Sequence, residues 1–183
     1  MRKVLKIAAW FIFVLVAIVA AFFWYAGFFD RTHIEERQMA SFYVAFRDHQ
    51  GSYEQAQSLQ NQIFLELVRD SIVPMKAVGI FFDDPSVGRQ SSGRYRVGCI
   101  ISSDNLTRAY ASMSGYRIMA IPSARYIITQ FPFDNKLSAV AATTKAYHAF
   151  AAYRKTRGMK KRPVMEVYDE AAGTITLMTE VVF

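Results

Sequence analysis

Glu166 is the residue of this chain most suited to chemistry. It sits in Pro163-Val164-Met165-Glu166-Val167-Tyr168-Asp169-Glu170, a stretch that reads as a strand with one carboxylate set among apolar residues. A strand alternates faces, so Val164, Glu166 and Tyr168 share one side and Met165 and Val167 the other. An ionised carboxylate beside apolar neighbours needs a partner or a proton. Tyr168, and Phe82 at the end of a similar strand, make aromatic company for it. Aromatic faces attract cations and low dielectric strengthens a carboxylate–cation pair, so this set suits a counter-charge for a bound cation. The same carboxylate could serve as a general acid or base if burial raises its pKa. The strand alone also fits a Glu on a solvated face, the commoner arrangement.

Other chemistry has little support. There is no Gly-x-Ser-x-Gly, no phosphate-cradling Gly-Lys-Ser/Thr loop and no paired His-Glu metal motif. His33, His49 and His148 are scattered without ligand spacing, so neither a metal nor a cofactor is expected. His148 falls on an apolar helical stripe and reads as a partly buried, satisfied side chain. The lone Cys99 permits no internal disulfide. Lys155, Arg157, Lys160, Lys161 and Arg162 could meet anionic head groups or an acidic partner, though a solvated helix end explains them better.

The elements that must position Glu166 follow from the pattern. Residues 1–6 form a basic tail with Arg2, Lys3 and Lys6, and residues 7–29 carry no charge. About 20 apolar residues span a bilayer, so 7–29 is expected to be a transmembrane helix, with Trp10, Trp24 and Tyr25 near its ends. The run is longer than a signal-peptide core. The basic tail before it and the mixed flank after it place the N-terminus in the cytoplasm and the domain outside, in the periplasm if the cell is bacterial. Three of the 22 Lys and Arg precede the run and all 15 acids follow it, which leaves the remainder at only +4. That is no nucleic-acid footprint.

Residues 30–183 then read as one α+β domain. A strand region over Glu36–His49 is followed by a helix opened by Ser52 and Gln55, with Ala56, Leu59, Ile63, Leu67, Phe64 and Val68 on its stripe. Pro74 ends it, and strands follow over Met75–Phe82 and Arg94–Ser102, separated by a turn at Asp83-Asp84-Pro85 and a loop to Gly93. Asp104–Met113 reads as a short helix or a loop. The pattern restarts near Tyr116 with a lead-in segment, a strand over Ala124–Gln130, a helix over Leu137–Arg157, and strands over Val164–Tyr168 and Thr174–Val182. Its helical stripe is Leu137, Val140, Ala141, Thr144, His148, Ala151 and Ala152, and Gly158 is placed to close it. The order strand–helix–strand–strand thus occurs twice, in modules of about 36–103 and 116–183. Two such modules can pair through their sheets and leave a cleft with helices outside. In that superposition Ile80 takes the place of Glu166.

These residues resemble the GyrI-like family, also called the effector-binding or SOUL-related fold. The resemblance rests on Phe131-Pro132-Phe133, Leu137-Ser138, Ala142-Thr143, His148, Tyr153, Arg157, Pro163, Glu166 and Tyr168, and on Val78 to Pro85 in the first half. It covers roughly Glu36 to Val182, and one branch of the family likewise joins an N-terminal membrane helix to this domain. It implies the duplicated fold and a buried glutamate that meets lipophilic cations in a cleft, a role that falls to Glu166. The expected ligand-binding set is Glu166, Tyr168, Phe82, Ile80, Phe131 and Phe133. The leading expectation is a membrane-anchored, non-enzymatic domain that binds a small cationic or amphipathic molecule. The alternatives are a hydrolase of strained-ring, cyclopropanoid compounds with Glu166 as its catalytic residue, and a membrane-tethered adaptor for a protein partner. The expected partners are the lipid bilayer through residues 7–29 and the small molecule, with no nucleic acid.

Overall fold

The computed structural model describes residues 2–25, 32–83, 93–112, 115–133 and 136–183. A first helix, α1, runs Arg2–Tyr25 and exposes Trp10, Phe11, Ile12, Phe13 and other large apolar side chains. Among the described residues no helix is long and apolar enough to cross a membrane. The expected span 7–29 continues past Tyr25 into residues 26–31, which lie outside the described residues.

The rest is an eight-stranded antiparallel sheet with helices on one face. In chain order its elements are β1 (Glu35–Met39), β2 (Phe42–Gly51), α2 (Ala56–Arg69), β3 (Lys76–Phe81), β4 (Gly93–Ile101), α3 (Leu106–Ser112), β5 (Arg117–Ile121), β6 (Ala124–Pro132), α4 (Lys136–Arg157), β7 (Val164–Asp169) and β8 (Thr174–Glu180). Across the sheet the order is β1-β6-β8-β7-β3-β4-β2-β5. Each half contributes three neighbouring strands, β3-β4-β2 and β6-β8-β7, and the halves meet where β3 pairs with β7.

The strand region expected over Glu36–His49 is two strands at distant places. β1 pairs with β6 of the second half, whereas β2 pairs with β4 and β5. The lead-in segment of each half therefore covers an edge strand of the other, which leaves fewer unpaired backbone groups for aggregation. Residue types on either side of Ala40-Ser41 are equally strand-like, so only pairing separates them.

The two faces of the sheet are buried differently. Val44, Phe46, Val78, Ile80, Tyr126, Ile128, Met165, Val167 and Met178 form one cluster on the face without helices. They come from strands near both ends of the order, so the sheet curls around this face. On the other face α2 docks Ile63 and Leu67 against Ala45, Tyr95, Val97 and Cys99. The Ser52 hydroxyl accepts from the Glu54 backbone N–H and caps the turn that leads into α2. α4 packs Ala142, Ala146, Tyr147 and Phe150 onto Ile127, Val164, Ile175 and Leu177. Its buried stripe is rotated from the expected one, and His148 is exposed. The two aromatics decide this: burying Tyr147 and Phe150 removes more apolar area from water than burying His148 and Ala151. Gly158, at φ 66, ends α4 in the left-handed conformation that glycine adopts without a Cβ clash.

Candidate functional site

Between α2 and α4 the sheet is left open, and a cleft of about 870 Å³ lies over its centre. The floor comes from β3, β4 and β7. The walls are Gln57, Gln60, Asn61 and Phe64 of α2 and Ala139, Val140 and Thr143 of α4. Gly79 and Glu166 face each other across the β3–β7 seam, with Leu177 on the other side of Glu166. The carboxylate of Glu166 therefore stands near the middle of the molecule, and its residue is only 3% exposed.

Two phenols meet it. The Tyr168 hydroxyl donates to Oε2 at 2.7 Å, and the Tyr147 hydroxyl stands 3.5 Å from Oε1. Among the described residues Glu166 takes part in no ion pair. Burial pushes its pKa up from an ordinary 4.5 to about 7, and the hydrogen bonds from Tyr168 and Tyr147 pull in the opposite direction without cancelling it. Burial and the neighbouring carboxylate raise the Tyr168 phenol well above its usual value. Glu166 is thus poised between charged and neutral at physiological pH, in an aromatic and apolar enclosure.

The expected site residues divide. Glu166, Tyr168 and Phe133 line the cleft, and Phe133 meets Tyr168 edge to face at 5.5 Å. Phe131 does not line it: it packs against the core beneath α4. Ile80 and Phe82 lie on the opposite face of the sheet. The register decides this, because the residue paired with Glu166 is Gly79, not Ile80, and a shift of one residue along a strand exchanges faces. Phe82 is instead covered by the chain's own guanidinium groups, Arg96 at 5.2 Å and Arg94 at 5.9 Å. The aromatic that β3 gives to the cleft is Phe81, stacked with Tyr95 at 5.9 Å and met at a tilt by Tyr53 at 5.6 Å. Its ring leans over Gly79, where a Cβ would come within 2.7 Å of it. Gly79 therefore leaves the place opposite the carboxylate to the Phe81 ring.

Tyr147, Phe81 and Gly79 were missed from sequence. Tyr147 and Phe150, three apart on α4 and flanked by Ala142 and Ala146, carry a helical periodicity that would have found the first. The expected Asp83-Asp84-Pro85 turn and the loop after it fall mostly within 84–92, outside the described residues. The basic run is partly engaged: Arg157 pairs with Glu36 at 2.8 Å and Arg162 with Glu180 at 2.9 Å. Among the described residues no group of three or more His, Cys, Asp or Glu could hold a metal ion.

A curled antiparallel sheet with its helices parted over a buried glutamate defines a class of small-molecule binding domain. The sequence pattern of the GyrI-like small molecule binding domain matches residues 32–183, and the chain belongs to that family. Human testis-expressed protein 264 is 27% identical over 135 residues, which covers 69% of this chain and 41% of that protein. The chain thus spans about two fifths of the length of the curated relatives it matches. Among solved structures, SAV2435 bound to tetraphenylphosphonium superposes with a TM-score of 0.55 at 11% identity, over 81% of this chain and 93% of that one. A hydrolase from Listeria innocua encoded by lin2189 gives 0.52 at 10% identity, over 85% and 95%. At such identities the likeness is one of fold.

Proposed function

We propose that this protein is a membrane-tethered binding domain that holds a small cationic or amphipathic molecule in the cleft between α2 and α4, with Glu166 as counter-charge. One observation carries the reading: Glu166, 3% exposed on the floor of a cleft of about 870 Å³, has phenols rather than a cation beside it among the described residues. Burying an unpaired carboxylate is costly, and a ligand cation would relieve that cost. Phe133, Tyr168, Phe81 and Phe64 supply ring faces and apolar area for the rest of the molecule. The lipophilic cation held by SAV2435 supports the same reading. The test is a thermal-shift panel of lipophilic cations, tetraphenylphosphonium included, on the full chain and on Glu166→Gln. The expected result is stabilisation of the parent above neutral pH and its loss in the variant. Equal shifts in both proteins would overturn the counter-charge role.

A pKa near 7 also suits proton transfer, which favours one second reading: hydrolysis of a strained-ring compound with Glu166 as acid or base. The fold shared with a Listeria hydrolase supports it. Turnover of a cyclopropanoid substrate, abolished in Glu166→Gln, would establish it.

The tether rests on the uncharged run 7–29, and the orientation on the basic residues before it. Carbonate extraction should leave the full chain in the membrane. Protease added to intact vesicles of known sidedness should then reach the domain only from the non-cytoplasmic side.

A further inference from the structure

The counter-charge reading accounts for the middle of the cleft and leaves its two ends without a role. The pairing register shows what lies there. β3 and β7 run antiparallel, with Phe81 beside Val164 at one end and Ala77 beside Tyr168 at the other. Tyr53 packs its ring against Phe81, so Glu54, which follows it, lies toward the first end. Phe133 meets Tyr168 edge to face, and its N–H donates to the Gly173 carbonyl, so the β7–β8 turn with Glu170 lies toward the second. Glu54, Glu166 and Glu170 all line the cleft, the outer two exposed and the central one buried. Glu166 and Glu170 are four residues apart along a strand and its turn, roughly 10–13 Å.

The charges are uncompensated. Among the described residues none of the three carboxylates takes part in an ion pair. The one cationic side chain among the described lining residues, Lys76, is held by Asp169 at 2.8 Å. Gln57 and Asn61 of α2 line this trench three and seven positions after Glu54, which lies in the turn that leads into the helix. Their amide carbonyls can accept from N–H groups of a ligand lying along the helix. A compact cation with one positive centre would use the floor carboxylate alone.

We propose that the cleft takes a linear polycationic amine, a chain with two or more positive nitrogens joined by apolar stems. One nitrogen rests on Glu166 and another reaches Glu170 or Glu54, with the stem against Phe64, Phe133 and Val140. This inference rests on the counter-charge role of Glu166 and extends it to a ligand class.

The test is titration calorimetry of the full chain with diamines of rising stem length, the monoamine of each stem, and tetraphenylphosphonium. The diamine of matching length should bind a few-fold tighter than its monoamine, since its second nitrogen meets one exposed carboxylate and such a contact adds only a few-fold. That advantage should shrink with added salt, because the outer carboxylates are open to screening. The double variant Glu54→Gln with Glu170→Gln should bring the diamine down to the monoamine and leave monoamine affinity unchanged. Equal binding of diamine and monoamine by the parent, or an advantage that survives the double variant, overturns the linear-polycation assignment and leaves the counter-charge role standing. Monoamine and tetraphenylphosphonium binding that survives Glu166→Gln overturns the counter-charge role itself.

Discussion

At the scale of the residue, Glu166 should set the pH dependence of both stability and binding. Its folded pKa of about 7 lies above the ordinary 4.5, so between those values the native state holds a proton that the unfolded chain has released. The contribution of Glu166 to the stability of the ligand-free protein is therefore greatest below the ordinary carboxylate range. That contribution is lost as pH rises toward 7 and levels off above it. Denaturant midpoints for Glu166→Gln should lack this slope, and above neutral pH the variant should exceed the parent by up to about 3 kcal/mol, at 1.36 kcal/mol per pKa unit. Cation binding runs the other way, because the ligand needs the charged form. Affinity should rise up to about tenfold per pH unit below neutrality and flatten above it. Tyr168→Phe removes a phenol that favours the charged carboxylate, so the affinity curve should shift to higher pH, which the same titration reads.

At the scale of the element, α4 does two separable jobs. Its inner stripe holds it on the sheet, and Phe150 is fully buried there. Phe150→Ala should cost about 3–5 kcal/mol of unfolding free energy by denaturant titration. Its outer edge forms a wall of the cleft, where Val140 is 49% exposed. Val140→Asn should leave stability within about 0.5 kcal/mol and weaken binding of an apolar-stemmed ligand. β3 shows the same division in a strand. Val78 and Ile80 serve the helix-free core, while Ala77, Gly79 and Phe81 serve the cleft. Gly79→Val should fill the place opposite Glu166, push the Phe81 ring aside and cost about 1–3 kcal/mol. Ligand thermal shifts should vanish in a protein that still unfolds cooperatively.

At the scale of the whole molecule, the two halves share a single sheet through the β3–β7 seam, and each supplies an edge strand to the other. Neither half has a complete sheet alone. Backbone circular dichroism and tyrosine fluorescence should therefore follow one coincident unfolding transition, and separately expressed halves should lack the cooperative melt of the intact chain. The cleft is also a product of both halves, since α2 and β3 come from one and α4 and β7 from the other. Its position where the duplicated units meet lets one half carry the carboxylate while the other, at Gly79, makes room for the Phe81 ring beside it.

Much of this was legible in the chain. Helix α2, with its Ser52 cap and its Ile63 and Leu67 stripe, follows from capping chemistry and periodicity, both local. So do the alternation of β7, which sets Glu166 and Tyr168 apart from Met165 and Val167, and the repeat of strand–helix–strand–strand. What the sequence could not settle was register, and with it the partner of each face. Ile80 or Gly79 opposite Glu166 is a difference of one residue in pairing, invisible to periodicity because both choices alternate equally well. The splitting of β1 from β2, the turn of α4 that buries Tyr147 rather than His148, and the arginines over Phe82 likewise depend on contacts between segments far apart in the chain. The sequence alone determined that a carboxylate would stand in an aromatic strand. Tertiary packing decided that it is buried, held by two phenols and, among the described residues, left without a cation, because burial and pairing belong to the assembled sheet.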